Sequence, residues 1–148
     1  MKIQLLSQRD PAWANVKLGD SPFTVGRYGC LEVSLCMFSR YCGFPIYPDV
    51  VAKHTESFNA NGMYLWNYPF PFVLEKEIKG RNDAEIMRSL KDPVRGVVLQ
   101  VDNGSHFVLA LSKNWFGSYM VADPWVGDKC DAVKRWKNIT GSRHLLMK

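Results

Sequence analysis

Leu31, Leu35, Phe38 and Cys42 fall at offsets of 0, 4, 7 and 11, the spacing of one face of an α-helix. The run opens at Gly29-Cys30, and Gly43 stands where a C-terminal cap is expected. The spacing therefore predicts a buried, central helix from Cys30 to Cys42. A second helix is expected from Pro48 to about Ser57, because proline suits a first-turn position. A third is expected from Asp83 to Leu90, capped by Asn82 or Asp83 and ended by Pro93. Beyond it the pattern changes. Val97–Val101, His106–Leu111 and Tyr119–Ala122 read as strands, and a last strand is expected over Arg143–Met147. Asp102-Asn103-Gly104-Ser105 is a strong turn signal between the first two, and a second turn falls around Lys113 to Gly117. Helices first and antiparallel strands second is an α+β order. Residues 1–28 read as an irregular lead-in punctuated by Pro11, Gly19, Pro22 and Gly26. Tyr64, Trp66, Tyr68, Phe70 and Phe72 alternate in a stretch to which the pattern assigns no element. On composition it suits the wall of a substrate groove and a lid on the core equally.

The chain of 148 residues is read as one domain, 1–148. That size buries about 68–70% of the surface an unfolded chain exposes, so neither disulfides nor a structural metal is needed to fold it. Its 47% hydrophobic and 22% charged residues exclude a low-complexity or disordered chain. The net charge of +5 is mildly basic, but Lys and Arg are spread along the chain and only Lys134, Arg135 and Lys137 stand close together. A nucleic-acid binder concentrates such charge in a patch, so no nucleic-acid partner is expected. No run of about 7–15 apolar residues marks a signal peptide, and none approaches the ~20 of a membrane span. The expectation is a chain that is cytoplasmic as synthesised, with no membrane partner.

Four cysteines, Cys30, Cys36, Cys42 and Cys130, are expected to be free thiols in a chain without a secretion signal. On a helix, residues six apart point about 120° from one another, so Cys30, Cys36 and Cys42 do not converge on a metal. There is no C-x-x-C pair, and no metal or organic cofactor is expected.

A nucleophilic cysteine needs a base beside it, and the base needs a group that fixes its orientation. Cys30 alone among the cysteines stands at the start of a helix, where the partial positive charge favours thiolate. Suppose that the strands holding His106 and Asp123 form a hairpin whose turn is centred between Asn114 and Trp115. His106 is then directly opposite Asp123. Opposed residues share a face, with Cβ atoms about 4.5–5.5 Å apart, close enough for an imidazole to hydrogen-bond a carboxylate. His54 and His144 have no such partner and read as surface residues.

With these residues in place, a resemblance is visible. The run Gln8-Arg9-Asp10-Pro11-Ala12-Trp13, then Gly29-Cys30 with Ser34, Met37 and Gly43, then Ser105-His106-Phe107-Val108, then Val121-Ala122-Asp123-Pro124 with Gly127, resembles the peptidase C39-like family, a branch of the papain-like fold. The resemblance spans nearly the whole chain, from about Leu5. It implies a papain-like α+β domain with N-terminal helices packed on a C-terminal antiparallel sheet. It implies a catalytic triad of Cys30, His106 and Asp123, with Gln8 donating to the oxyanion, acting on a peptide or peptide-like substrate. The chain departs from the family at Leu31-Glu32, where Gly-Pro is usual, and at Val33-Ser34, where Thr-Ser is typical. Members fused to transporters cleave export leaders, which is not implied for a chain without a membrane part. Domains of this kind occur in bacterial and phage settings, so release by a phage or host route is compatible with the sequence. An amidase acting on cell-wall peptides, a transferase, and a binding or structural module that keeps the fold without turnover all share these residues.

Overall fold

The computed structural model describes residues 1–148. Its helices are α1 (Val25–Tyr28), α2 (Cys30–Tyr41), α3 (Pro48–Ala52), α4 (Asp83–Lys91) and α5 (Ala132–Trp136). Its strands are β1 (Phe72–Lys79), β2 (Arg95–Val101), β3 (His106–Lys113), β4 (Tyr119–Asp123), β5 (Asp128–Asp131) and β6 (Ile139–Met147). The six strands form one sheet in the order β1-β6-β2-β3-β4-β5, antiparallel at every pairing. The architecture is α+β.

Helix α2 forms where the apolar spacing placed it. Cys42 ends it, and Gly43 follows at φ +89, a left-handed value that glycine takes without a Cβ clash. Phe44 N–H then reaches back to the Ser39 carbonyl, closing the turn in a Schellman pattern. The periodicity understated the helix's burial. Every residue from Glu32 to Ser39 is buried, because the sheet covers one side and the N-terminal segment with α3 covers the other. The second expected helix is shorter than its pattern. It runs as α3 from Pro48, breaks at Lys53-His54, and resumes as one 3-10 turn at Thr55–Ser57. The third matches closely, and its cap is Asn82, whose side chain accepts from Glu85 N–H.

The sheet is covered on both faces. Val98, Leu109, Ala122 and Leu145 pack with Val33, Leu35, Met37 and Phe38 of α2. Val97, Leu99, Val108, Ala110 and Val121, of opposite parity, pack with Ile86 of α4 and Ala132 of α5. The expected division into N-terminal helices and C-terminal sheet is therefore only partial. Strand β1 precedes α4 and pairs with the last strand, β6, and α4 and α5 lie on the face away from α2. The aromatic stretch belongs to the core. Tyr64, Phe70 and Phe72 are buried in the α2 cluster, with Trp66 and Tyr68 against them, and the Phe70 and Phe72 rings stack at 4.9 Å.

Two expectations about histidines are corrected. His144 is wholly buried, not on the surface. It sits on β6, which is flanked by β1 and β2, and its two ring nitrogens are satisfied by Ser89 Oγ at 2.6 Å and Ser142 Oγ at 2.9 Å. His54 is half-buried, with Nδ1 2.8 Å from Ser57 Oγ.

Candidate active site

Cys30 occupies the first position of α2, where its backbone N–H has no intrahelical acceptor. One turn further on, Ser34 Oγ donates to the Phe107 carbonyl at 3.5 Å. That bond and the apolar packing of α2 on β3 bring the start of the helix beside His106, the first residue of β3.

The hairpin register differs from the expected one. Leu109 pairs with Ala122 and Ala110 with Val121, a slip of two residues. Asn114 causes it. Its N–H meets the Ser118 carbonyl, and its side-chain oxygen accepts from the N–H groups of Phe116 and Ser118. Gly117 supplies the left-handed residue at φ +72. The turn is thus centred on Phe116, and a bulge at Leu111 absorbs the remaining offset. Because the side-chain period is two, a slip of two keeps every residue on its face. His106 and Asp123 become diagonal neighbours, at a separation long side chains still span. His106 Nε2 donates to Asp123 Oδ1 at 2.7 Å. The expected partnership holds in a register that was expected differently.

Asp123 is buried, and both oxygens are used. Oδ1 also accepts from Trp125 N–H at 2.9 Å, and Oδ2 accepts from Arg135 Nη1 at 2.7 Å. Burial alone pushes its carboxyl up, but the bonds from His106, Trp125 N–H and Arg135 outweigh it and hold the group below the ordinary carboxylate range. Arg135 also forks onto Asp128 through Nη1 and Nη2, both at 3.0 Å. In the sequence Arg135 stands out only as part of a small basic cluster with Lys134 and Lys137. Its place beside Asp123 depends on α5 folding back over β4 and β5, which no local pattern announces.

For His106, burial pushes the imidazole pKa down. The bonds and charges of Asp123 and Cys30 more than compensate, and the value rises to about 9. Since Nε2 is held by Asp123, Nδ1 is the nitrogen left for the thiol. The Trp136 ring lies 5.5 Å from the imidazole, tilted against it. The other thiols are pushed away from reactivity. Burial raises Cys36 well above the usual thiol range, and raises Cys42 and Cys130 to about 11 each. All four cysteines are free, with Cys130 on β5.

Gln8, in the lead-in read as irregular, is completely buried. Its backbone N–H meets the Pro124 carbonyl at 2.6 Å, and its side-chain Nε2 donates to the Gly26 carbonyl at 3.2 Å. Trp13, also buried, pins the same segment by donating from Nε1 to the Ser7 carbonyl at 2.7 Å. One of the two amide hydrogens of Gln8 remains free. Gln8, Cys30, His106 and Asp123 together line a cavity of about 600 Å³, with Arg27, Tyr28, Trp125 and Trp136 among its walls. The aromatic stretch from Tyr64 to Phe72 contributes nothing to it.

Asp123, Asp128 and Cys130 bring ligand-type atoms within 4.8 Å of one another. The Arg135 guanidinium already binds both carboxylates, so an ion there would have to displace it. No helix is long and apolar enough to cross a membrane. Comparison of the chain with protein-family models, curated proteins and solved structures finds no match.

Proposed function

We propose that the chain is a papain-like cysteine hydrolase that cleaves a peptide or amide bond. The observation that carries the reading is His106, held by Asp123 through Nε2, sharing one cavity wall with Cys30 at the start of α2. A buried carboxylate, an imidazole raised to about 9 and a thiol at a helix start are the three parts of an activated nucleophile.

In this mechanism the Cys30 proton already rests on His106 Nδ1 before substrate binds, and the thiolate attacks the substrate carbonyl carbon. The free Gln8 amide hydrogen and the Cys30 backbone N–H donate to the developing oxyanion. The imidazolium, steadied by Asp123, protonates the leaving amine. Water, deprotonated by His106, then hydrolyses the thioester and regenerates the thiol. A cell-wall amidase or a transferase would use the same steps with a different donor or acceptor.

Alkylation with iodoacetamide at pH 7, read by peptide mass spectrometry, tests the reading. Cys30 is expected to label at least about tenfold faster than the other three thiols, whose pKa values burial raises. Replacing His106 with Ala should remove that advantage. Equal labelling of all four cysteines in the folded chain would overturn the assignment of Cys30 as nucleophile.

A further inference from the structure

The cavity around Cys30 has two lips, and each carries an arginine laid against an aromatic ring. On one, Arg27 and Tyr28 end α1, both exposed and both lining the cavity, with the Arg27 guanidinium 5.8 Å from the Tyr28 ring centre. On the other, Trp125 lines the cavity, and the exposed Arg9 guanidinium, just outside the wall itself, lies 4.9 Å over its ring. Gln8 ties the lips together, bonded to Gly26 on one and Pro124 on the other.

These two arginines differ from the rest. Arg81, Arg88, Arg95, Arg135 and Arg143 all meet carboxylates, and Arg40 donates to Gln4. Arg9 and Arg27 enter no ion pair. Of the two acidic groups on the cavity wall, only Asp123 is paired with cations, and Asp102 is exposed at its rim. Asp123 is bound by His106, Trp125 N–H and Arg135, and Asp102 accepts from Ser105 Oγ within its own turn. A guanidinium resting on an aromatic face keeps its N–H edge free and its side chain restricted, which suits it to bidentate carboxylate binding.

We infer that Arg9 and Arg27 select an acidic substrate, a peptide with a carboxylate on the residue flanking the bond that Cys30 attacks. The inference rests on the proposed role of Cys30. It is tested with two peptidyl chloromethyl ketones identical except for Asp or Asn at the residue bearing the electrophile, with Cys30 adduct formation followed by mass spectrometry. At low salt the Asp reagent is expected to react about fivefold faster or more, and the preference to shrink as ionic strength rises. Arg9→Gln and Arg27→Gln should each reduce the preference, the double variant should abolish it, and Arg9→Lys with Arg27→Lys should retain part of it. Equal rates for the two reagents in the unmodified protein, or a preference surviving in the double glutamine variant, would overturn the inference while leaving the hydrolase reading intact. Failure of Cys30 to outpace the other cysteines with iodoacetamide would instead remove the hydrolase reading, and this inference with it.

Discussion

Glu32 makes a strong test of the energetics of α2. It lies in the first turn of that helix, two residues after Cys30, and is 3% exposed. Its Oε2 has no hydrogen-bond partner. Burial pushes its carboxyl up, a backbone hydrogen bond opposes this without cancelling it, and the pKa reaches about 8 against an ordinary 4.5. The folded chain therefore holds a proton on Glu32 that the unfolded chain gives up once pH exceeds about 4.5. With the folded value raised, the stabilising contribution is fully present below 4.5 and falls as pH rises, levelling off above about 8. The fall is about 1.4 kcal/mol per pH unit and about 4 kcal/mol in all by pH 8. Glu32→Gln keeps the shape and polarity of the protonated acid and cannot ionise. Urea unfolding of both proteins from pH 5 to pH 8 should give curves that lie close together at pH 5 and diverge steadily, the variant becoming the more stable. Parallel curves, with the same difference at pH 5 and pH 8, would refute the claim that Glu32 is buried as a neutral acid.

Asp123→Asn removes the carboxylate charge that helps raise His106. The alkaline limb of turnover, expected near pH 9 where the imidazolium that protonates the leaving amine gives up its proton, should move down toward the ordinary histidine value of 6.5, as a kcat/KM–pH profile would record. An unmoved limb would mean that Asp123 does not set the charge state of the base. Arg135→Gln frees Asp123 from a competing cation. Turnover is expected to fall about tenfold, worth about 1.4 kcal/mol, while the same limb moves upward, and Arg135→Lys should restore part of the rate. In the fold itself, Gly96 faces the Phe38 ring so closely that an added Cβ would lie 2.5 Å from Cε1. Gly96→Ala should cost about 1–3 kcal/mol by overpacking α2 against β2, measured by denaturant midpoint, and an unchanged midpoint would show that Phe38 yields freely.

Much of the molecule was legible in the chain because its signals are local. The spacing from Leu31 to Cys42 with Gly43 defined α2, Asn82 capped α4, and the Asp102–Ser105 turn joined β2 to β3, where Val101 pairs with His106. Cys30, His106, Asp123 and Gln8 were each named from sequence, and the structure gathers all four around one cavity. What sequence left undecided depended on contacts between distant segments. Strand β1 reads as Phe-Val-Leu-Glu-Lys-Glu-Ile-Lys, a weak strand pattern alone. It becomes a strand by pairing with β6, nearly seventy residues later. The His106–Asp123 register turned on the Asn114 side chain and a bulge at Leu111, which periodicity does not record. His144 looked like a surface residue because its partners, Ser89 and Ser142, lie on α4 and on its own strand, and only packing closes them around the ring. Arg135 could not be placed beside Asp123 until α5 folded over β4 and β5. Short-range hydrogen bonds and side-chain periodicity are written into neighbouring residues, so the sequence by itself determined α2, α4 and the turn between β2 and β3, and singled out Cys30, His106, Asp123 and Gln8 as candidates. The distances among those groups come from the burial of apolar faces across the whole chain, and only the tertiary structure decided them.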